Sequence, residues 1–235
     1  MHTTPRTLLA AALALMLTAC GTQRAPATIT ELTAAYYAPP VAGTVPPAFG
    51  AAMMVFDPLP VEALAPAALA RVSEYWKLGP AGAIGPDGSV TVPLPPADDD
   101  LEALLVSAPD LLFEGCALAA SDPSVLVTPT GFELVTSPGV AVLTSEGWVP
   151  GVVTDVALPS FEEADVLGVT FYSFVYATGP VTVTGEGAEC ISEGETVELE
   201  LEAGWNWVGW SFTDTEASVR TVPAPAEAYL TMAVP

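Results

Sequence analysis

The chain has 235 residues, 51% of them apolar, and carries 28 acidic against five basic side chains with a single histidine. So negative a balance repels nucleic acid and anionic lipid headgroups, which excludes nucleic-acid binding and polybasic membrane docking. Disorder, the other correlate of strong acidity, is excluded by an abundance of Val, Leu, Trp, Tyr and Phe sufficient to build a core.

Residues 1–6, MHTTPR, place the initiator amine and Arg6 ahead of an uncharged apolar run from Leu8 to Leu17, the layout of a secretory signal peptide. The run is shorter than the roughly 20 residues a membrane-spanning helix needs. It ends in Leu17-Thr18-Ala19-Cys20, which resembles the lipobox of bacterial lipoproteins. That resemblance implies a signal peptide over 1–19 and a mature chain beginning at a lipidated Cys20, carrying three acyl chains, palmitate among them, or a diacylglycerol. At roughly 0.8 kcal/mol per buried CH₂, several chains make release from the membrane negligible. It implies an extracytoplasmic place in the cell envelope, on the outer membrane where the source has two membranes, because Gly21 rather than Asp follows the cysteine. The alternative is an ordinary signal peptide with a chance cysteine. After cleavage only Arg24, Arg71, Lys77 and Arg220 remain against all 28 acids, a net charge of −24.

The mature 216 residues suit one large or two small domains. They read as a lipidated cysteine and tether over 20–40, an N-terminal β module over 41–107 and a C-terminal antiparallel β module over 108–235. The uncharged run Ala34 to Phe56 contains Pro39, Pro40, Pro46, Pro47, Gly43 and Gly50, which forbids a regular helix. Ala52 to Phe56 and Ser89 to Leu94 are expected strands, the second launched by the turn Gly85-Pro86-Asp87-Gly88. Helical signals are short: Val61 to Trp76, interrupted by Pro66, sets Leu69, Val72 and Trp76 on one stripe, and Leu101, Leu104 and Leu105 form another. Val125 to Val127, Val140 to Thr144 and Val152 to Ala157 add strands.

In the second half, Val169 to Ala177 is a β-branched and aromatic run, broken by Thr178-Gly179-Pro180 before Val181-Thr182-Val183-Thr184. Val197 to Glu202 alternates aliphatic and carboxylate side chains, the pattern of a half-buried antiparallel strand. These segments read as consecutive hairpins. The expected class is mostly β, antiparallel sandwich modules with a few short helices. The stretch GAIGPDGSVTVPLP, with the earlier VAGTV, resembles prealbumin-like β modules of the carboxypeptidase-regulatory type over residues 41–95. VYATGPVTVTGEGAEC and VELELEAGWNWV resemble the C-terminal half of predicted lipoproteins of the Deinococcus group. Neither resemblance implies an activity.

The only histidine, His2, falls in the signal peptide, so a mature chain lacks the base of Ser-His-Asp and Cys-His mechanisms and the usual zinc ligand. Ser73 stands four residues before the sole lysine, Lys77, which is not the Ser-x-x-Lys spacing. No cofactor is implied. Carboxylates remain: Asp98-Asp99-Asp100 with Glu102, and Glu162-Glu163 with Asp165, evoke the acid pair of a glycosidase. Asp99 with Glu102 and Ser160 with Glu163 equally have capping-box spacing. The three consecutive aspartates are also calcium candidates, although a calcium loop alternates its ligands.

Cys116 and Cys190 are expected to pair as a disulfide in an oxidising compartment. Trp205, Trp207 and Trp210 share one strand and form either core or a stacking platform for a sugar or partner. If Glu202-Ala203-Gly204 is a three-residue loop with a left-handed glycine, Leu201 faces Trp205, and Trp205 and Trp207 enter the core, with Trp210 on the other face beside Asn206 and Val208. If only Ala203-Gly204 turn, both indoles lie outside. Gly204 at the last loop position favours the first geometry.

The reading that follows is a lipid-anchored envelope protein with a non-enzymatic binding or structural role, partnered by the membrane through Cys20 and by an envelope protein or glycan. The alternatives are a carboxylate-dependent hydrolase of envelope glycans and a solute-binding lipoprotein.

Overall fold

The turn expected before Ser89 forms and sets the first hairpin. Gly88 adopts φ +82°, which lacks a Cβ penalty only for glycine, and Asp87 Oδ1 accepts from the Ser89 amide at 3.0 Å and hydroxyl at 2.6 Å. The turn joins β3 (Trp76–Ile84) to β4 (Ser89–Pro93), with Ile84 opposite Val90.

The computed structural model describes residues 29–38, 48–56, 76–111, 118–130, 139–145, 147–159, 166–186, 195–214 and 216–232. The expected signal peptide, Cys20, Cys116, Cys190, the helical signal before Trp76 and the acids Glu162, Glu163 and Asp165 lie outside them.

β4 alternates exposed Ser89 and Thr91 with buried Val90 and Val92. β1 (Glu31–Tyr37) pairs antiparallel with it and likewise turns Glu31 and Thr33 outward and Leu32 inward. On the far side of β3, β2 (Ala48–Phe56) pairs with β8 (Gly139–Thr144), and β8 forms a hairpin with β9 (Gly147–Thr154) through Gly147 at φ +118°. The last strand, β15 (Tyr229–Met232), lies parallel to β1 and antiparallel to β9. It closes a ring in the order β15-β1-β4-β3-β2-β8-β9, a seven-stranded barrel. Leu32, Ala51, Met53, Val90, Val92, Val140, Val142, Val153, Leu230 and Met232 fill it. Gly82 is required where β3 presses on β4, since a Cβ there would collide with the Thr91 carbonyl oxygen. Apolar filling inside and hydroxyls and carboxylate outside on β1 and β4 is the reverse of the lipid-facing pattern of a membrane barrel. Among the described residues no helix is long and apolar enough to cross a membrane.

A second sheet leaves the barrel at β9, where Val153 and Thr154 pair with Tyr172 and Phe171 of β10 (Thr170–Ala177). From β10 the order runs through β13 (Gly204–Phe212), β14 (Ala217–Val222), β12 (Glu195–Leu201) and β11 (Val181–Glu186) to β6 (Ala119–Ala120). The short β7 (Leu126–Val127) pairs with the end of β10 and with β5 (Val106–Ser107). This sheet encloses a second core built from Val127, Phe171, Val175, Val183, Val197, Leu199, Leu201, Val208, Trp210 and Val219.

Mostly β is what the sequence patterns indicate. The strand pairing, however, makes a closed barrel with an attached sheet, where a sandwich was expected. The expected boundary after residue 107 does not divide the strands, because β8, β9 and β15 complete the barrel begun by β1–β4, while β5 joins the second sheet. β1 lies within residues 20–40, the expected tether. The expected chain of hairpins is corrected too. β11 and β12 are a hairpin, but β10 bonds β13 rather than β11, and β14 intervenes between β12 and β13. Trp76 opens β3 rather than ending a helix. A single helical turn, α1 (Asp99–Glu102), follows β4, and its cap is Asp98, whose Oδ1 accepts from the Leu101 amide at 3.0 Å, one residue before the Asp99 expected. Leu101 and Leu104 are buried against the barrel core as the stripe required.

Candidate functional site

The aromatic cluster was the sharpest candidate, and its place follows from strand alternation. β10 and β13 pair throughout, setting Tyr176 opposite Trp205 and Phe174 opposite Trp207, with Val175 opposite Asn206 and Phe171 opposite Trp210 on the other face. Tyr172, Phe174, Tyr176, Trp205 and Trp207 therefore point to the barrel core, and Phe171, Val175, Val208 and Trp210 to the second core. The ribbon is a wall shared by two cores. Phe174 and Trp207 have centroids 4.5 Å apart, and Tyr172–Trp207 and Tyr176–Trp205 meet edge to face at 5.5 and 5.6 Å.

All three indoles are buried, Trp205 to 7%, Trp207 to 3% and Trp210 to 1% of their accessible surface. They offer no stacking platform to a sugar or partner. Gly204 has φ +101°, in line with the favoured loop geometry, and Trp210 shares the face of Asn206 and Val208. Leu201 and Trp205 nevertheless enter different cores, because β14 separates their strands. No protein-family model, no curated protein and no solved structure matches this chain.

Polar atoms within the wall are mostly tied. Trp205 Nε1 donates to the Pro95 carbonyl at 2.8 Å, fixing the segment before α1, and Trp210 Nε1 donates to Ser173 Oγ at 2.8 Å, which meets Thr130 Oγ1 at 3.2 Å. Asn206 clasps the turn before it: its Oδ1 accepts from the Glu202 amide at 2.9 Å and its Nδ2 donates to the carbonyls of Glu202 at 2.8 Å and Gly204 at 2.9 Å. Its sequence gave no signal beyond an asparagine two residues after a turn glycine. Trp207 Nε1, Tyr36 Oη and Thr231 Oγ1 are buried without a hydrogen-bond partner among the described residues.

Asp98, Asp99 and Asp100 sit exposed at the start of α1, with Asp98 engaged as the cap. Among the described residues no three His, Cys, Asp or Glu side chains converge to hold a metal ion. Asp87 and Asp122 occupy exposed turns in which the hydroxyls and amides of Ser89 and Ser124 hold their carboxyls below the usual carboxylate range.

Besides the outer faces of β1 and β4, the outer side of the β11–β12 hairpin is turned to solvent. Register sets Thr182 beside Glu200 and Thr184 beside Glu198, all four exposed, while Val183 and Leu199 point into the core. Arg220 of β14 reaches Glu198 at 3.5 Å, both side chains being more than half exposed, so the ion pair adds little stability. The arrangement is a sheet face of hydroxyls and carboxylates with the Arg220 cation at its side, suited to polar contact.

Proposed function

We propose that the protein is a lipid-anchored, extracytoplasmic display module of the cell envelope, attached through Cys20, which acts by binding rather than catalysis and presents the threonine-glutamate face of β11–β12 to an envelope protein or glycan. The observation that carries this reading is the division of labour in the second sheet: every indole of the β13 cluster is spent on packing, and the polar alternation of β11 and β12 is turned to solvent. β1 begins at Glu31, eleven residues after Cys20, so even a fully extended connection would hold the barrel within about 40 Å of the lipid. The same compartment favours a Cys116–Cys190 disulfide.

Intact mass and detergent partitioning of the native protein beside a Cys20→Ser variant test the anchor. An acylated chain starting at Cys20 that partitions with detergent, and a variant that does not, is the expected result. Two water-soluble forms cleaved elsewhere would overturn it, and hydrolysis of an envelope glycan lost on changing one carboxylate would overturn the non-catalytic role.

A further inference from the structure

The barrel closes through its final strand. Among the described residues all pairing of β15 is with β1 and β9: Leu230 lies beside Tyr36 on one side and Val153 on the other, and the Ala35 amide donates to the Ala228 carbonyl at 2.7 Å. Among the described residues β1 and β9 do not pair with each other directly, so β15 alone bridges them on this side of the ring. The groove is shaped for this occupant. Gly151 faces Leu230 from within the barrel wall, and a Cβ there would approach Leu230 Cδ1 to 2.9 Å and Val142 Cγ2 to 3.2 Å. The missing side chain is a socket for Leu230, which is fully buried, as is its neighbour Met232. The strap from β14 contains Pro223 and Pro225, which cannot donate to a ladder, so nothing zips β15 onto the strand that precedes it.

Two parallel facts make this strand separable. The other six strands of the ring hold one another by their own pairings, and β15 is a strand of only four residues, Tyr229–Met232. An open pair of strand edges recruits an extended segment through main-chain hydrogen bonds, with side-chain pockets setting which segment. We propose that the groove between β1 and β9 is a strand acceptor and that β15 is a detachable clasp docked in it, so that the groove takes residues 226–235 of this chain even when they arrive on a separate molecule.

The test inserts a protease site between Pro225 and Ala226 of the otherwise full chain and cleaves it under native conditions. The expected result is a nicked protein that keeps its fold and its C-terminal fragment, and exchanges that fragment for a labelled synthetic peptide of sequence AEAYLTMAVP. A peptide carrying Leu230→Asp is expected to bind about a hundred-fold more weakly, since it would bury an unpaired carboxylate in the socket. In a Gly151→Ala background the native peptide is expected to exchange in more weakly as well. Equal uptake of both peptides, departure of the fragment without loss of fold, or unfolding on nicking that the native peptide does not reverse would each overturn the proposal.

Discussion

Trp207 packs against Phe174 with ring centroids 4.5 Å apart and planes tilted by 55°, yet among the described residues its indole nitrogen finds no acceptor, whereas Trp205, two residues earlier on the same face, donates to Pro95. The two indoles thus contribute the same kind of packing and differ in one hydrogen bond. Trp205→Phe is expected to destabilise the fold by about 1 kcal/mol more than Trp207→Phe, the net worth of a satisfied bond against an orphaned donor. Urea unfolding of both variants checks the difference, and equal losses would show that Pro95 contributes nothing.

Thr231 is fully buried with an unpartnered hydroxyl. Thr231→Val keeps the shape and β-branching and removes the desolvated oxygen. It is expected to raise the unfolding free energy by about 1 kcal/mol, read from the urea midpoint at constant slope.

Burial pushes the phenols of Tyr36 and Tyr172 upward, and for Tyr172 the Asp155 carboxylate adds to the effect. The folded chain therefore holds these protons to higher pH than the unfolded chain does. Their stabilisation is complete below about pH 10 and is lost as pH rises through the folded values. Thermal unfolding of the native protein is expected to weaken above pH 10, and less so in Tyr36→Phe and Tyr172→Phe; identical alkaline profiles would refute this.

Asp98 caps α1, while Asp99 lies inside the turn. Asp98→Ala is expected to cost about 1 kcal/mol and Asp99→Ala a few tenths at most. Denaturation of the pair separates the two assignments.

The two cysteines after Cys20 lie outside the described residues, but the chain leads to both from one corner of the second sheet. β6, which starts three residues after Cys116, pairs with Val183 and Thr184 of β11, and β11 ends four residues before Cys190. If the protein is exported as proposed, peptide mapping is expected to find them bridged. Reduction is then expected to lower stability by roughly 4 kcal/mol, the loop-closure value for about 75 residues. Free thiols in protein isolated from its native host would remove the bridge.

The amino-acid sequence by itself determined the class and the faces. Period-two alternation in Ser89–Pro93, Val181–Thr184 and Val197–Leu201 placed each aliphatic side chain inside and each hydroxyl or carboxylate outside, because successive strand residues point to opposite sides whatever the partner. The turn at Gly85–Gly88 and the left-handed Gly204 were legible for the same local reason. Pairing was not. A strand's pattern states which face is buried and is silent on which neighbour buries it, so Val169–Ala177 read as the partner of the segment after it while tertiary packing gave it to β13. That choice turned three indoles from a candidate platform into a wall between two cores, since both faces of the ribbon met apolar surface. Only the tertiary structure decided that the final four-residue strand returns to lie beside the first, because closing a ring removes the last exposed edges and no local signal encodes a contact almost two hundred residues distant.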